Sequence, residues 1–234
     1  MRTLRLALAA LLFVPPLGAQ DLEGTSIEAR RGERKGVVIA APHEGYEFGT
    51  ARIAGTVAEA LGTGLVVARN FRDPDARRWV NVNRPTECLY VGGAKGDEVR
   101  TERAEKVFQE YRSRVIEAAG LEEGPLEFYV EVHGAAEIET VEIATVGFEQ
   151  GELARLAARA REAGLEVVFD LTRGERPFHF GAGGARELGS LRPEAVRHAL
   201  HVELPPALRE RGRRDETARL LSELARSALE EARR

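Results

Sequence analysis

The chain has 234 residues, 43% of them hydrophobic, and a net charge of -4 at pH 7. That length and apolar content suit one substantial core, and the intermixed Arg and Glu, without a basic block, argue against nucleic acid and for a small-molecule or peptide substrate. Cys88 is the only cysteine, which excludes an internal disulfide.

Residues 1–19, MRTLRLALAALLFVPPLGA, place Arg2 and Arg5 before an apolar run from Leu6 to Val14. The run is too short to span a bilayer and has the form of a secretory signal, cut after Ala19. Retention as a membrane tether is the alternative, because Leu17 stands three residues before that cut. The folded part is expected to be secreted or periplasmic. Residues 20–35 read as a polar leader with only Leu22 and Ile27 to bury, and residues 36–234 as one α/β domain.

Val37 to Ala41 is an apolar run with the β-branched content of a buried strand, stopped by Pro42 directly before His43. Open α/β sheets place ligands beyond the carboxyl ends of their strands. A turn through Gly45 can bring either Glu44 or Glu47 beside the His43 imidazole, and zinc accepts imidazole and carboxylate together. A solvated polar turn is the competing reading. Thr50 is placed to cap a helix with Ile53, Ala54, Val57, Ala58 and Leu61 on one face, ending near Gly62. Gly64 to Ala68 follows as a second strand, so the order opens a parallel sheet.

Arg69 to Glu87 is dense in Arg and Asn, a composition suited to gripping a carboxylate or to a salt-bridged surface loop. Leu89 to Val99 reads as a Gly-rich loop. Glu102 to Ala119 reads as an amphipathic helix with Ala104, Val107, Phe108, Tyr111, Val115 and Ile116 inward. LEFYVEVHG then forms a strand ending on His133, where Glu131 shares its side and is placed to orient the other ring nitrogen.

Glu139 to Phe148 and Leu165 to Leu171 read as strands flanking a helix from Glu152 to Ala163. Gly174 to Gly189 reads as a mobile loop in which His179 is a surface residue by default, with proton donor or substrate contact as the alternatives. Pro193 opens a short helix to Ala199, and LHVELPP is a strand carrying Glu203. An acid within an apolar strand is costly unless it faces a cleft, a metal or a partner. Asp215 to Ala232 closes the chain as an amphipathic helix. The fold class is therefore α/β: a mixed, mostly parallel sheet flanked by helices.

Taken together, PHEGYEFGT, VNVNRPTE, YVEVHG and HVELP resemble the zinc hydrolases grouped around N-formylglutamate amidohydrolase, with zinc carboxypeptidases, aspartoacylases and poly-gamma-glutamate hydrolases as relatives. The order matches across His43 to Glu203. The resemblance implies His43, Glu47 and His133 as zinc ligands, with Asn83 and Arg84 on the substrate carboxylate. It also implies Arg72 or Arg78 at the scissile carbonyl and Glu203 as general base. Carboxypeptidases space the first His and Glu by three residues, where this chain has Tyr46, so Glu44 competes with Glu47 as the ligand. Phe148 to Arg192 carries no motif of the family.

The activity so implied is zinc-dependent cleavage of an amide bond next to a carboxylate: an N-acyl amino acid, a γ-glutamyl linkage or a peptide C-terminus. Two other readings stand beside it. One is a non-catalytic module that kept the fold and binds a carboxylate or cell-wall fragment through its Arg-rich loop. The other is a zinc-buffering protein.

Overall fold

The computed structural model describes residues 22–174 and 177–234, and the expected signal segment lies outside them. The stretch read as a polar leader contains a strand, Ser26–Arg30 (β1), antiparallel to Gly64–Arg69 (β3) at one edge of the sheet. Only Ile27 and Ala29 face the core there, because an edge strand buries one side and keeps charged residues on the other.

Val37–Glu44 (β2) runs on through Pro42 and His43, with a register shift between Ala41 and Glu44 where it pairs with β3. A proline is tolerated at such an irregularity because the ladder hydrogen bond it cannot donate is already missing. Thr50–Leu61 (α1) starts one residue earlier than a Thr50 cap would place it. Its cap is Gly49, in the left-handed region at φ 95°.

Arg72–Asp73 (β4) and Arg78–Trp79 (β5) form a short ribbon inside the Arg-rich stretch. The segment read as a Gly-rich loop is instead a hairpin, Thr86–Val91 (β6) and Ala94–Arg100 (β7). Gly92 and Gly93 both take positive φ, 61° and 89°, as a two-residue turn matched to strand twist requires. Glu102–Ala118 (α2) follows, its amide end capped by the Thr101 hydroxyl, which accepts from Ala104 N.

Leu126–Gly134 (β8), Val141–Val146 (β9), Gln150–Glu162 (α3) and Val167–Phe169 (β10) come next. The stretch read as a mobile loop ends in a short helix, Gly183–Leu188 (α4). The helix expected from Pro193 to Ala199 does not form. Strand Val196–Leu204 (β11) occupies most of that stretch, since parallel pairing with β8 from Val196 onward overrides the local helical pattern of Ala195, Val196 and Ala199. Pro206–Arg209 (α5) and Arg214–Glu231 (α6) complete the chain.

The sheet has seven strands in the order β1-β3-β2-β8-β11-β9-β10. β3, β2, β8 and β11 are mutually parallel, whereas β11 meets β9 antiparallel. Apolar residues of α1, α3 and α6 cover one face, and those of α2 the other. Both faces of β2 and β8 are thereby buried, which explains their near-continuous apolar sequences. Parallel direction brings the carboxyl ends of β2, β8 and β11 to one rim. His43, His133 and Glu203 sit within two residues of those ends.

Candidate functional site

β2 delivers His43 to the rim and β8 delivers His133, with their ring centroids 5.1 Å apart. Glu47 reaches them from the turn before α1. One ligand atom each from His43, Glu47 and His133 lies within 4.8 Å of the others, and all three residues are buried. Glu44 is committed elsewhere. Its carboxylate accepts from Gly49 N, Ala51 N and the Thr50 hydroxyl, and so closes the amide end of α1.

Neither ring nitrogen of His43 has a hydrogen-bond partner among the described residues. Burial, reinforced by the positive charge of Arg72, holds its pKa well below the ordinary value, so the ring is neutral at pH 7. A buried neutral imidazole with idle nitrogens beside a carboxylate and a second imidazole is a donor set that fits a divalent ion.

His133 presents Nδ1 to Glu47 Oε2 at 3.2 Å and Nε2 to Glu131 Oε2 at 3.3 Å. Glu47 also accepts from Gly134 N at 3.1 Å and from Arg72 Nη1 at 2.8 Å. Glu131, His133 and His201 also lie close enough to share an ion. Glu131 is already saturated, however. Its Oε1 accepts from the Ser190 hydroxyl, and its Oε2 meets Asn83 Nδ2 at 3.1 Å and His201 Nδ1 at 3.0 Å. Burial alone would raise its pKa, but the hydrogen bonds from His133 and His201 bring it well below the usual carboxylate range. Its arrangement is that of an anchor for the two imidazoles.

These residues floor a cleft of about 650 Å³ whose lining includes His43, Glu47, His133, Glu203, Arg72 and Arg84. Glu203 is buried and lies 3.1 Å from His201 Nε2. Arg72 donates to Asn81 Oδ1 at 2.7 Å as well as to Glu47. Trp79 stands at the mouth, edge-on to Tyr46 and beneath the Lys95 ammonium at 3.8 Å. Arg84 donates Nε and Nη2 to the two oxygens of Glu98 on β7, at 2.6 and 2.8 Å.

Three residues singled out in the sequence stand apart from this cleft. Arg78 points away and donates Nε to Asn70 O while pairing with Asp73, which leaves Arg72 as the arginine beside the metal-type cluster. Asn83 is wholly buried behind the cleft, donating Nδ2 to Glu131 while its Oδ1 accepts from Arg84 Nη1 at 3.4 Å. His179 is half-exposed and held by Glu142, which accepts from its Nδ1 and backbone N and from Phe180 N. That clamp places Phe180, rather than His179, on the cleft wall.

His201, Glu98 and Arg209 also belong to the site and were not singled out in the sequence. His201 had a signal: two residues before Glu203 on a strand, it shares that residue's side of the sheet. Glu98 and Arg209 had none, since each depends on how a hairpin or a short helix folds over the rim.

No family model matches the chain, and no curated protein matches it. Solved structures do. A gene product of Agrobacterium tumefaciens, Atu2144, is 17% identical with a TM-score of 0.54, over 92% of this chain and 98% of that one. N-formylglutamate amidohydrolase from Ralstonia eutropha JMP134 is 15% identical with a TM-score of 0.49, over 89% and 98%. A metallo-carboxypeptidase from Pseudomonas aeruginosa is 17% identical with a TM-score of 0.48, over 92% of this chain and 67% of that one. At these identities the likeness is one of fold. The chain is a single-domain α/β fold with a mostly parallel sheet flanked by helices, with a cluster of two His and one Glu, fit for a metal ion, at its strand ends.

Proposed function

We propose that the protein is a zinc-dependent hydrolase acting outside the cytoplasm on an amide bond adjacent to a carboxylate. The observation that carries the reading is His43, buried with both ring nitrogens idle, beside Glu47 and His133 in a cleft that also holds Glu203, Arg72 and Arg84. His43, Glu47 and His133 would hold the ion. Zinc in such a set lowers the pKa of a water toward about 7 and polarises a carbonyl.

Glu203 accepts the proton of the attacking water on its carboxylate and returns it to the leaving nitrogen as the C–N bond breaks, giving a carboxylate and an amine. Arg72, fixed by Glu47 and Asn81, is placed to stabilise charge developing on the carbonyl oxygen. Arg84 holds the substrate carboxylate so that the amide carbon is presented to the water. Glu131 and His201 hold His133 and Glu203 in position.

Elemental analysis of the purified protein, followed by hydrolysis assays on N-formylglutamate, γ-glutamyl peptides and peptide C-termini, tests this reading. Stoichiometric zinc and turnover that Glu203→Gln abolishes are expected. Bound zinc without turnover of any of these substrates would favour the non-catalytic carboxylate-binding module. Export is tested separately by fractionating cells that express the full chain.

A further inference from the structure

Trp79 is the one tryptophan of the chain and sits where three parts of the cleft wall meet. It is the cross-strand neighbour of Arg72 in the β4–β5 ribbon, and the Arg72 Cζ lies over its ring, 5.3 Å from the centroid. The Lys95 ammonium, brought by β7, lies 3.8 Å from the ring centroid. Tyr46, beside Glu47, meets the indole edge to face at 4.7 Å.

Hydrogen bonds alone leave Arg72 incompletely fixed. Nη1 donates to Glu47 and Nη2 to Asn81, whereas Nε has no hydrogen-bond partner among the described residues. Two contacts pin two points of a planar guanidinium and leave it free to tilt about the line between them. The indole face closes off that tilt. The Arg72 side chain is only 12% exposed, and a cation–π contact is worth most where the cation is desolvated.

We infer that Trp79 is a positioning residue for Arg72: the face of its indole holds the guanidinium at the angle from which it meets charge developing on the carbonyl oxygen. The inference rests on that role of Arg72 in the proposed reaction. A tryptophan that only packs acts through its shape, whereas one that positions a cation acts through the negative potential of its ring face.

Because the chain has a single tryptophan, biosynthetic incorporation of tryptophans with increasing ring fluorination alters Trp79 alone, draining electron density from its face while barely changing its shape. Calorimetry of the zinc-loaded proteins then needs no hydrolysis. One ligand is the analogue of N-acetylglutamate whose acetamide is replaced by a methylphosphinate joined through CH2, which carries a tetrahedral oxyanion. The other is glutamate, which has no such centre. Affinity for the phosphinate should fall with each added fluorine, by about tenfold over the series, while that for glutamate changes less than about twofold. The same trend should persist in Lys95→Met, and its disappearance there would assign the effect to Lys95 and overturn the inference. A flat phosphinate series overturns it too, as does an equal loss for both ligands, the mark of a ring that only shapes the cleft. A parent protein that binds the phosphinate no more tightly than glutamate removes the proposed reaction, and this role of Trp79 with it.

Discussion

Glu203 and His133 lie directly opposite each other where β11 runs beside β8, and two residues earlier His201 stands opposite Glu131. Acid faces imidazole at both levels, so each carboxylate is held by a ring from its own strand as well as meeting one across the pair. His201 is the link, 3.1 Å from Glu203 and 3.0 Å from Glu131. Replacing it with Phe keeps a ring in place and deletes both bonds. Hydrolysis should fall about 10- to 100-fold, the usual effect of removing a residue that orients the groups at a metal site. Zinc content should stay near stoichiometric. Steady-state kinetics run beside elemental analysis decide the matter, since zinc lost in step with activity would make His201 a ligand rather than a support for Glu203.

On the proposed reading, His133 governs how metal uptake responds to pH. Burial alone would lower its pKa, but the Glu47 charge and the hydrogen bonds to Glu131 and Glu47 raise it from 6.5 to about 10 in the metal-free protein. A pKa raised on folding contributes stability that is complete below the unfolded value of 6.5 and lost as pH climbs through about 10. A metal ion must displace that proton. Apparent zinc affinity should therefore rise by about tenfold per pH unit across this window, with one proton released per ion bound. Calorimetry of the metal-stripped protein in buffers of different ionisation enthalpy measures both quantities. Affinity independent of pH would remove His133 from the ligand set.

The four long helices, α1, α2, α3 and α6, and the two histidine-bearing strand ends are legible in the sequence because their signals are local. Ile53, Val57 and Leu61 repeat with the helical period, and Val37 to Ala41 is an apolar run too short for a buried helix. What is not legible depends on pairing across distance. β11 begins at Val196 because β8 lies alongside it, although Ala195 to Ala199 would suit a helix. Glu44 and Glu47 are indistinguishable as ligands until α1 is placed, after which Glu44 is the group that caps it. The β6–β7 hairpin is written in Gly92-Gly93, a turn signal, but its charged second strand lacks the alternation that marks a buried one.

Glu131 is wholly buried, and its removal should be felt in stability before function. In Glu131→Gln an amide would turn N–H groups toward Asn83, His133, His201 or Ser190, each of which needs an acceptor. Breaking a buried, hydrogen-bonded charge cluster of this kind costs about 3–5 kcal/mol. The Glu131 pKa is lowered on folding, so its contribution is complete above the ordinary carboxylate value of 4.5 and is lost as pH falls below it. Urea unfolding should show a large deficit for the variant at neutral pH and a smaller one in acid. Equal midpoints at neutral pH would mean that the cluster relaxes around the amide.

Glu98 determines how Arg84 meets a ligand. It takes the Nε–Nη2 edge of the guanidinium in a two-point pair while Nη1 donates to Asn83 Oδ1 at 3.4 Å, so Arg84 is aimed from two sides. The hydrogen bonds from Arg84, aided by one from the Thr86 hydroxyl, hold the Glu98 pKa at about 2, so the pair is fully charged at neutral pH. Glu98→Gln keeps the length of the side chain but drops the charge that aims Arg84. KM for a carboxylate-bearing substrate should rise about tenfold, the equivalent of one charge-assisted contact, with kcat little changed because Glu203 and the metal ligands are untouched. Arg84→Ala should raise KM at least as far, and the double variant should add little to it, as expected for two residues acting through one contact. Additive effects of the two changes would show instead that Glu98 meets the substrate, or shapes the β6–β7 hairpin, independently of Arg84.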